Sequence, residues 1–260
     1  MGWIERLKKC ILALLPPAFW LGAWQLGAFW VDRQVQGRGS QLLLPYPGAV
    51  LSRLVSLAGT APFWEAVLSS LERILVGMAA GTALGAALAW LTCASPWCDR
   101  LLSPAVRVIR ATPVVSFILL VLLWTGRDRV PSIISALMVL PVVWANLSRG
   151  IRETDPQLLE LARAYRFSPS KTVKLIYLPA LRPYFLSAVT TSMGLAWKSG
   201  AAAEVLCLPR RAIGTQIYNA KLYLEIPDLF AWTVAVVALS LLLEKLLKGL
   251  LGRRKGAAGP

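Results

Sequence analysis

Residues Glu160 to Pro179 read ELARAYRFSPSKTVKLIYLP, a charged stretch between two apolar segments of a 260-residue chain. Two start signals for short helices accompany it. Asp155 and Ser168 are each followed by a proline, and this pairs a capping side chain with a residue suited to the first helical position. We therefore predict a helical hairpin over residues 155–179, and we expect Pro179 to bend the chain into the next apolar segment.

The composition of the whole chain indicates a polytopic membrane protein. Hydrophobic residues make up 57% of it and its mean hydropathy is +0.60, which is more apolar than a soluble domain of this length. The predicted fold is all-α, a single membrane domain over residues 1–260 with about six transmembrane helices. The spans are predicted at residues 10–31, 68–93, 105–126, 130–150, 177–206 and 228–248.

The distribution of basic residues predicts an orientation. The net charge of +15 could suggest nucleic-acid binding. However, if the N-terminus lies inside, most lysines and arginines outside the spans fall in the inside segments, as the positive-inside rule requires. The charge surplus therefore indicates orientation and attraction to the lipid bilayer, and no nucleic-acid partner is expected. Both termini and the 155–179 hairpin are predicted to be cytoplasmic.

The hairpin resembles the EAA loop of ABC importer permeases. That loop reads E-A-A, three residues, G, nine residues, I, any residue, L-P. Its spacing is matched here by Glu160, Ala162, Ile176, Leu178 and Pro179.

Two positions of the hairpin depart from the EAA pattern. Leu161 stands at the first alanine, and Arg166 stands at the glycine. Glycine permits a positive φ at the C-terminus of a helix, whereas another residue there costs on the order of 1 kcal/mol. Arg166 therefore predicts a modified turn.

Other segments are similar to the nitrate, taurine and aliphatic-sulfonate branch of the family. The similar segments are residues 44–47 after the first span, 70–73 at the start of the second, and 195–204 in the fifth. The resemblance extends from about Pro16 to Glu244, which is nearly the whole chain.

The resemblance implies a type I ABC importer permease fold in the bacterial plasma (inner) membrane. The implied function is to form the pathway for a small solute, such as a sulfonate or nitrate anion, delivered by an extracytoplasmic binding protein. Two ATPase subunits and a second permease copy, giving a homodimer, are the other implied partners. The hairpin would couple the chain to the ATPase. The implied coupling residues are Glu160, Ala162, Arg166, Ile176, Leu178 and Pro179.

The sequence argues against catalysis by this chain. It contains neither a G-x-x-x-x-G-K-[ST] phosphate loop nor any histidine, so we expect no enzyme activity, no cofactor and no metal. ATP hydrolysis is expected on a partner chain. The alternative function is a membrane scaffold or channel subunit whose hairpin docks another cytoplasmic protein.

Charged residues inside the predicted fifth span are candidates for the pathway. Lys198 and Glu204 interrupt this span, and ionisable residues within a membrane are functional candidates by default. In one interpretation Lys198 attracts an anionic substrate while Trp197 shapes the wall of the pathway. In the alternative, Lys198 and Glu204 each pair with another helix, for example with Glu72 or Arg73.

Small residues in the predicted second span indicate close helix packing. Gly77, Gly81 and Gly85 recur every four residues, so they share one helix face and allow another backbone to approach. Pro113 and Pro141 lie inside the third and fourth spans, where kinks are tolerated if neighbouring groups satisfy the freed carbonyls. No internal repeat is evident, so a two-fold pathway would need a second permease chain.

Overall fold

The structure, a computed structural model, describes residues 2–34 and 43–252, with side chains described over 15–34 and 43–249. These residues form helices and turns without a β-strand, which confirms the all-α prediction. The helices are α1 (Gly2–Gln34), α2 (Pro47–Ala58), α3 (Ala61–Ala94), α4 (Pro96–Ala111), α5 (Val114–Trp124), α6 (Val130–Arg152), α7 (Pro156–Ala164), α8 (Pro169–Thr172), α9 (Leu178–Cys207), α10 (Ile213–Leu222) and α11 (Ile226–Gly252), with a π-helical turn (Val173–Tyr177) between α8 and α9.

The chain divides into two compact units. The first comprises Met1–Glu65 with Gln216–Val236, and the second comprises Ala66–Thr215 with Val237–Pro260. The C-terminal residues 253–260, whose cytoplasmic location is predicted, lie outside the described part of the chain.

Within the first unit, α2 and the start of α3 pack on α11. The guanidinium of Arg53 donates two hydrogen bonds to the carboxylate of Asp228, one of them from Nη2 to Oδ2 at 2.9 Å. This bidentate geometry is the strongest that an arginine and a carboxylate form. The rings of Phe63 and Trp232 stack with their centroids 4.9 Å apart.

Within the second unit, α3 packs with its backbone against that of α6. A Cβ added at Gly77 would lie 2.1 Å from the carbonyl oxygen of Ser132, and one at Gly81 would lie 2.5 Å from that of Ala136. Gly85 meets the next turn of α6 in the same way. Residue numbers increase together along this contact, so α3 and α6 run parallel.

Helix α9 packs against α6 in the opposite direction. The Ser135 hydroxyl donates to the carbonyl oxygen of Ala196 at 3.1 Å, near one end of the contact. A Cβ at Gly200 would lie 2.7 Å from the Ser135 oxygen. Towards the other end, one at Gly150 would lie 2.6 Å from the ring of Tyr184. The core of this unit is therefore a parallel pair of helices crossed by one antiparallel helix.

The predicted third span, 105–126, is a bent pair of helices rather than a kinked helix. Helices α4 and α5 meet at an angle of 109°. Thr112 is extended, with ψ 132°, because the ring of Pro113 disfavours the helical conformation in the residue before it. The expectation of a tolerated kink is therefore wrong at Pro113. Pro141, in contrast, lies inside the continuous helix α6.

The described helices give partial support for the predicted spans by length and composition. Helix α9 covers the predicted fifth span, but it carries three charged side chains and is not among the apolar helices named below. The count of six spans therefore remains a prediction. The helices long and apolar enough to cross a bilayer, among the residues described, are Ala61–Ala94, Val130–Arg152 and Ile226–Gly249, with the α4–α5 pair a fourth if it counts as one span.

The glycine contact between α3 and α6 leads to a stability prediction. We expect Gly81→Val to lower the melting temperature of the purified chain in detergent, because overpacking typically costs about 1–3 kcal/mol. Gly194→Val is the matched control, since nothing lies within 4 Å of a Cβ at that position. Equal melting temperatures for the two variants would contradict the packing argument.

Candidate functional site

The 155–179 hairpin has both of the predicted N-caps. The Asp155 carboxylate accepts a hydrogen bond from the backbone N–H of Gln157 at 2.8 Å, at the start of α7. The Ser168 hydroxyl accepts one from the N–H of Lys171 at 3.4 Å, at the start of α8. The two start signals in the sequence are therefore confirmed, and they set the limits of the turn between the helices.

The turn of the hairpin is a Schellman motif with arginine in the left-handed position. The N–H of Phe167 donates to the carbonyl of Ala162 at 2.8 Å, and the N–H of Arg166 donates to that of Arg163 at 3.0 Å. Arg166 has φ 50°. The prediction that Arg166 modifies the turn is therefore wrong in its geometry. The glycine-type backbone is kept, because the two hydrogen bonds offset a strain of about 1 kcal/mol.

The second arm of the hairpin continues into α9 without a break. Residues 169–207 form one helical path that includes the π-turn, in which the N–H of Leu178 donates to the carbonyl of Val173. Pro179 therefore lies inside a continuous helical path, and the expected bend of the chain at Pro179 stays a prediction. Pro179 has no N–H to donate, and it stands where the hydrogen-bond register changes from i−5 to i−4.

The predicted coupling residues divide between the surface and the interior of this chain. Ala162 and Ile176 are buried. The small side chain of Ala162 is therefore covered by this chain itself. The exposed members are Glu160, Arg166, Leu178 and Pro179.

An apolar surface of the hairpin remains uncovered. Leu161 is 49% exposed and Tyr165 is 71% exposed, and Leu158 lies on the same face of α7. We call these three residues the hairpin face. Large apolar side chains on a short polar connection are typical of a surface that contacts another protein.

Trp90, near the end of α3, supports the hairpin and was missed in the sequence. Its ring meets that of Tyr177 edge-on, with centroids 5.3 Å apart. A cavity of about 340 Å³ between Trp90 and the hairpin is lined in part by Phe167. Only the fold brings α3 to the hairpin, so the spacing of the sequence carries no signal for this contact.

A polar clamp joins the end of α6 to the first turns of α9. The Glu153 carboxylate accepts hydrogen bonds from the Tyr184 hydroxyl and from Arg149 Nε. The bond from Tyr184 and, to a smaller extent, the bond from Arg149 lower the pKa of Glu153. Because the pKa is lowered, the contact stabilises the folded chain at pH values above the ordinary pKa of glutamate. This stabilisation is lost as the pH falls through the pKa that Glu153 has in the folded chain.

At the other end of α9, Glu204 is fully buried among hydrogen-bond donors. Its Oε2 accepts from the Ser70 hydroxyl at 2.8 Å and from the N–H of Gly214 at 3.2 Å. Nη1 of Arg73 lies 3.8 Å from Oε1. Of the two interpretations of Glu204, this geometry favours pairing with a residue of another helix. It does not favour a position on the pathway.

The same network fixes two connections of the chain. Arg73 Nη2 donates to the carbonyl of Arg210 at 2.6 Å, and the N–H of Arg210 donates to Asp128 at 2.8 Å. A Cβ at Gly214 would lie 2.4 Å from that of Glu204, so only glycine fits there. The network therefore holds the α5–α6 and α9–α10 connections against α3.

The other two pathway candidates do not share one surface. Trp197 is 2% exposed and packs inside the protein, whereas Lys198 is exposed. Lys198 makes no ion pair or hydrogen bond through its side chain with any residue that the structure describes. No cluster of three or more metal-ligating side chains occurs in the described part of the chain.

The buried carboxylate leads to a second prediction. We expect Glu204→Ala to lower the melting temperature of the chain strongly, since breaking a buried ion pair costs about 3–5 kcal/mol. Glu204→Gln keeps an acceptor oxygen and should lose less stability. Glu72→Ala, an exposed neighbour of Arg73, is the control. Impaired transport with unchanged melting temperatures would instead return Glu204 to the pathway.

Known proteins similar to this chain are transport permeases. The family "Binding-protein-dependent transport system inner membrane component" matches residues 81–254. SsuC of Escherichia coli (strain K12), named for aliphatic sulfonates transport, is 30% identical over 84% of this chain and 82% of its own length. TauC of the same strain, named for taurine transport, is 24% identical over 81% and 78%.

Solved structures share the fold at low sequence identity. A bacterial alginate ABC transporter, crystallised in complex with an alginate pentasaccharide-bound periplasmic protein, has a chain that matches with a TM-score of 0.65 and 17% identity. The match covers 99% of this chain and 98% of that one. It confirms the predicted permease fold and carries no information about substrate.

The family match covers the hairpin, α9 and the glycine-containing part of α3 from Gly81 onward. The importer interpretation is therefore supported over the scaffold or channel alternative. The chain belongs to the inner membrane components of binding-protein-dependent transport systems, and it is a permease subunit of an ABC importer.

Proposed function

We propose that this chain forms the membrane pathway for a small anionic solute and that its hairpin face docks on a separate ATPase subunit. The observation that carries the proposal is the hairpin itself. It is a capped helix pair that presents uncovered apolar side chains, in a permease family whose members act as components of larger transport systems.

A continuous helix provides the mechanical link from the hairpin to the membrane domain. The path from Pro169 to Cys207 is helical throughout, so a displacement of the hairpin moves α9 as a unit. Glu153 and Tyr184 clamp this helix to α6 near the hairpin. Glu204 fixes its far end to α3. Movement of the ATPase would thereby change the packing of all three core helices together.

The proposed assembly has two permease chains, two ATPase subunits and an extracytoplasmic binding protein. The distribution of basic residues supports a cytoplasmic hairpin and cytoplasmic termini in a bacterial inner membrane. The connections near Tyr46 and over residues 207–228 would then face the binding protein. A homodimer supplies the two-fold pathway that a chain without an internal repeat cannot form alone.

Similarity to permeases of named substrates supports an anionic solute. SsuC is named for aliphatic sulfonates and TauC for taurine. Both names describe small molecules that carry a sulfonate group. We therefore propose a small sulfonate or a similar anion as the solute of this chain.

The docking proposal leads to a prediction for the hairpin face. We expect Leu161→Asp to abolish co-purification of the cognate ATPase, because it places a charge in the centre of an apolar contact. Glu160→Lys, on the exposed side of the same helix, should weaken co-purification. The measurement is the amount of ATPase retained when the tagged permease is isolated from membranes.

Leu222→Asp is the matched control, since this leucine of α10 is also well exposed. It should leave the ATPase bound. Full retention of the ATPase by the Leu161→Asp variant, with normal levels in the membrane, would refute the docking proposal.

A further inference from the structure

A cavity of about 450 Å³ lies between α4, α6 and α9. Pro141 and Val142, at the middle of the membrane-length helix α6, form part of its wall. Leu195 of α9 lines it from the other side. This volume lies within the usual range for small-molecule sites. If α6 crosses the bilayer as predicted, its midpoint at Pro141 places this part of the wall near the bilayer centre.

Three polar side chains line this otherwise apolar cavity. They are Arg110 from the last turn of α4, Asn146 from α6 and Thr191 from α9. The Asn146 amide uses one N–H on the carbonyl of Val142 at 2.8 Å, which leaves its other N–H unused. In the described part of the chain, the side chains of Arg110 and Thr191 have no hydrogen-bond or ion-pair partner. Each of the three therefore has a donor available.

The charge contributed by the described lining of the cavity is positive. Among the described residues of its lining, Arg110 is the only ionisable one and none is a carboxylate. Lys198 adds a second cation, because it lies two turns beyond Thr191 on the same face of α9, with Leu195 between them. Its side chain is exposed and has no ion-pair partner among the described residues.

Arg110 and Lys198 are both exposed, and neither has an ion-pair partner among the residues that the structure describes. An arginine within a membrane segment is energetically costly unless it faces a water-filled cavity or meets an anion. The planar guanidinium offers parallel N–H donors that match the two oxygens of a sulfonate, carboxylate or similar group. A hydroxyl and an amide beside it can donate to the remaining oxygen.

We propose that Arg110, Asn146 and Thr191 form a binding site for the oxyanion group of the transported solute, and that Lys198 attracts that group towards the site. The inference rests on the proposed function, and it adds that the permease selects its solute by charge. Selection would then not be left to the extracytoplasmic binding protein alone.

The test measures binding of radiolabelled methanesulfonate to the purified full-length permease in phosphatidylcholine nanodiscs. We expect saturable binding that chloride at equal ionic strength does not abolish. Dimethyl sulfone, a neutral molecule of nearly the same shape, should not compete. Arg110→Gln should weaken binding by about tenfold or more, since it removes charge-assisted hydrogen bonds. Thr191→Val, which keeps the side-chain shape, should weaken it by a smaller factor.

Arg107→Gln is the matched control, because Arg107 is an exposed arginine of α4 outside the cavity lining. It should bind as the wild type does, and Arg110→Lys should restore part of the lost affinity. An absence of saturable binding by the wild type, or equal losses in Arg107→Gln and Arg110→Gln, would overturn the site. The melting temperature of each variant verifies that it is folded.

Two further measurements separate the possible explanations of a failure. Adding phosphatidylglycerol to the nanodiscs should leave methanesulfonate binding unchanged. Displacement by this lipid would overturn the solute site in favour of a lipid headgroup site. Loss of methanesulfonate binding with normal ATPase co-purification would refute only the oxyanion site. Failure of the wild-type chain to retain the ATPase would refute the proposed function.

Discussion

The backbone contact between α3 and α6 is the constraint on which the rest of this structure depends. Gly81 lies so close to the carbonyl of Ala136 that no side chain fits between the two helices. Because the helices are parallel and nearly touching, α9 can pack against both of them at once. Van der Waals contact of this kind is one of the forces that associate helices in a membrane, where the hydrophobic effect does not drive association.

The close packing also explains how a carboxylate can lie in the interior. Glu204 faces α3 at the point where Ser70 and Arg73 supply donors, and the first turn of α10 supplies a backbone N–H. A buried charge is tolerated only when such partners surround it. The network fixes one end of α9, while the Glu153 clamp and the hairpin hold the other end. Helix α9 thereby connects the two ends of the unit.

Local chemistry made the hairpin predictable, and distant contacts made other parts unpredictable. The caps at Asp155 and Ser168 act within three residues, so the sequence contains all the information needed to place them. Two prolines inside predicted spans have different outcomes, since the chain breaks before Pro113 while α6 continues through Pro141. Trp90 contacts the hairpin because α3 is long enough to reach it. No spacing in the sequence indicates that contact.

The sequence by itself determined the all-α membrane class, the position of the hairpin and the family, because apolar runs, caps and motif spacing act locally. Only the tertiary structure decided that Arg166 keeps a glycine-type turn, since two backbone hydrogen bonds outweigh its strain. It also decided that Glu204 is paired, while Lys198 and Arg110 have no ion-pair partner among the described residues. The pairing of a charge depends on which helices meet around it, and that is settled by packing over the whole core.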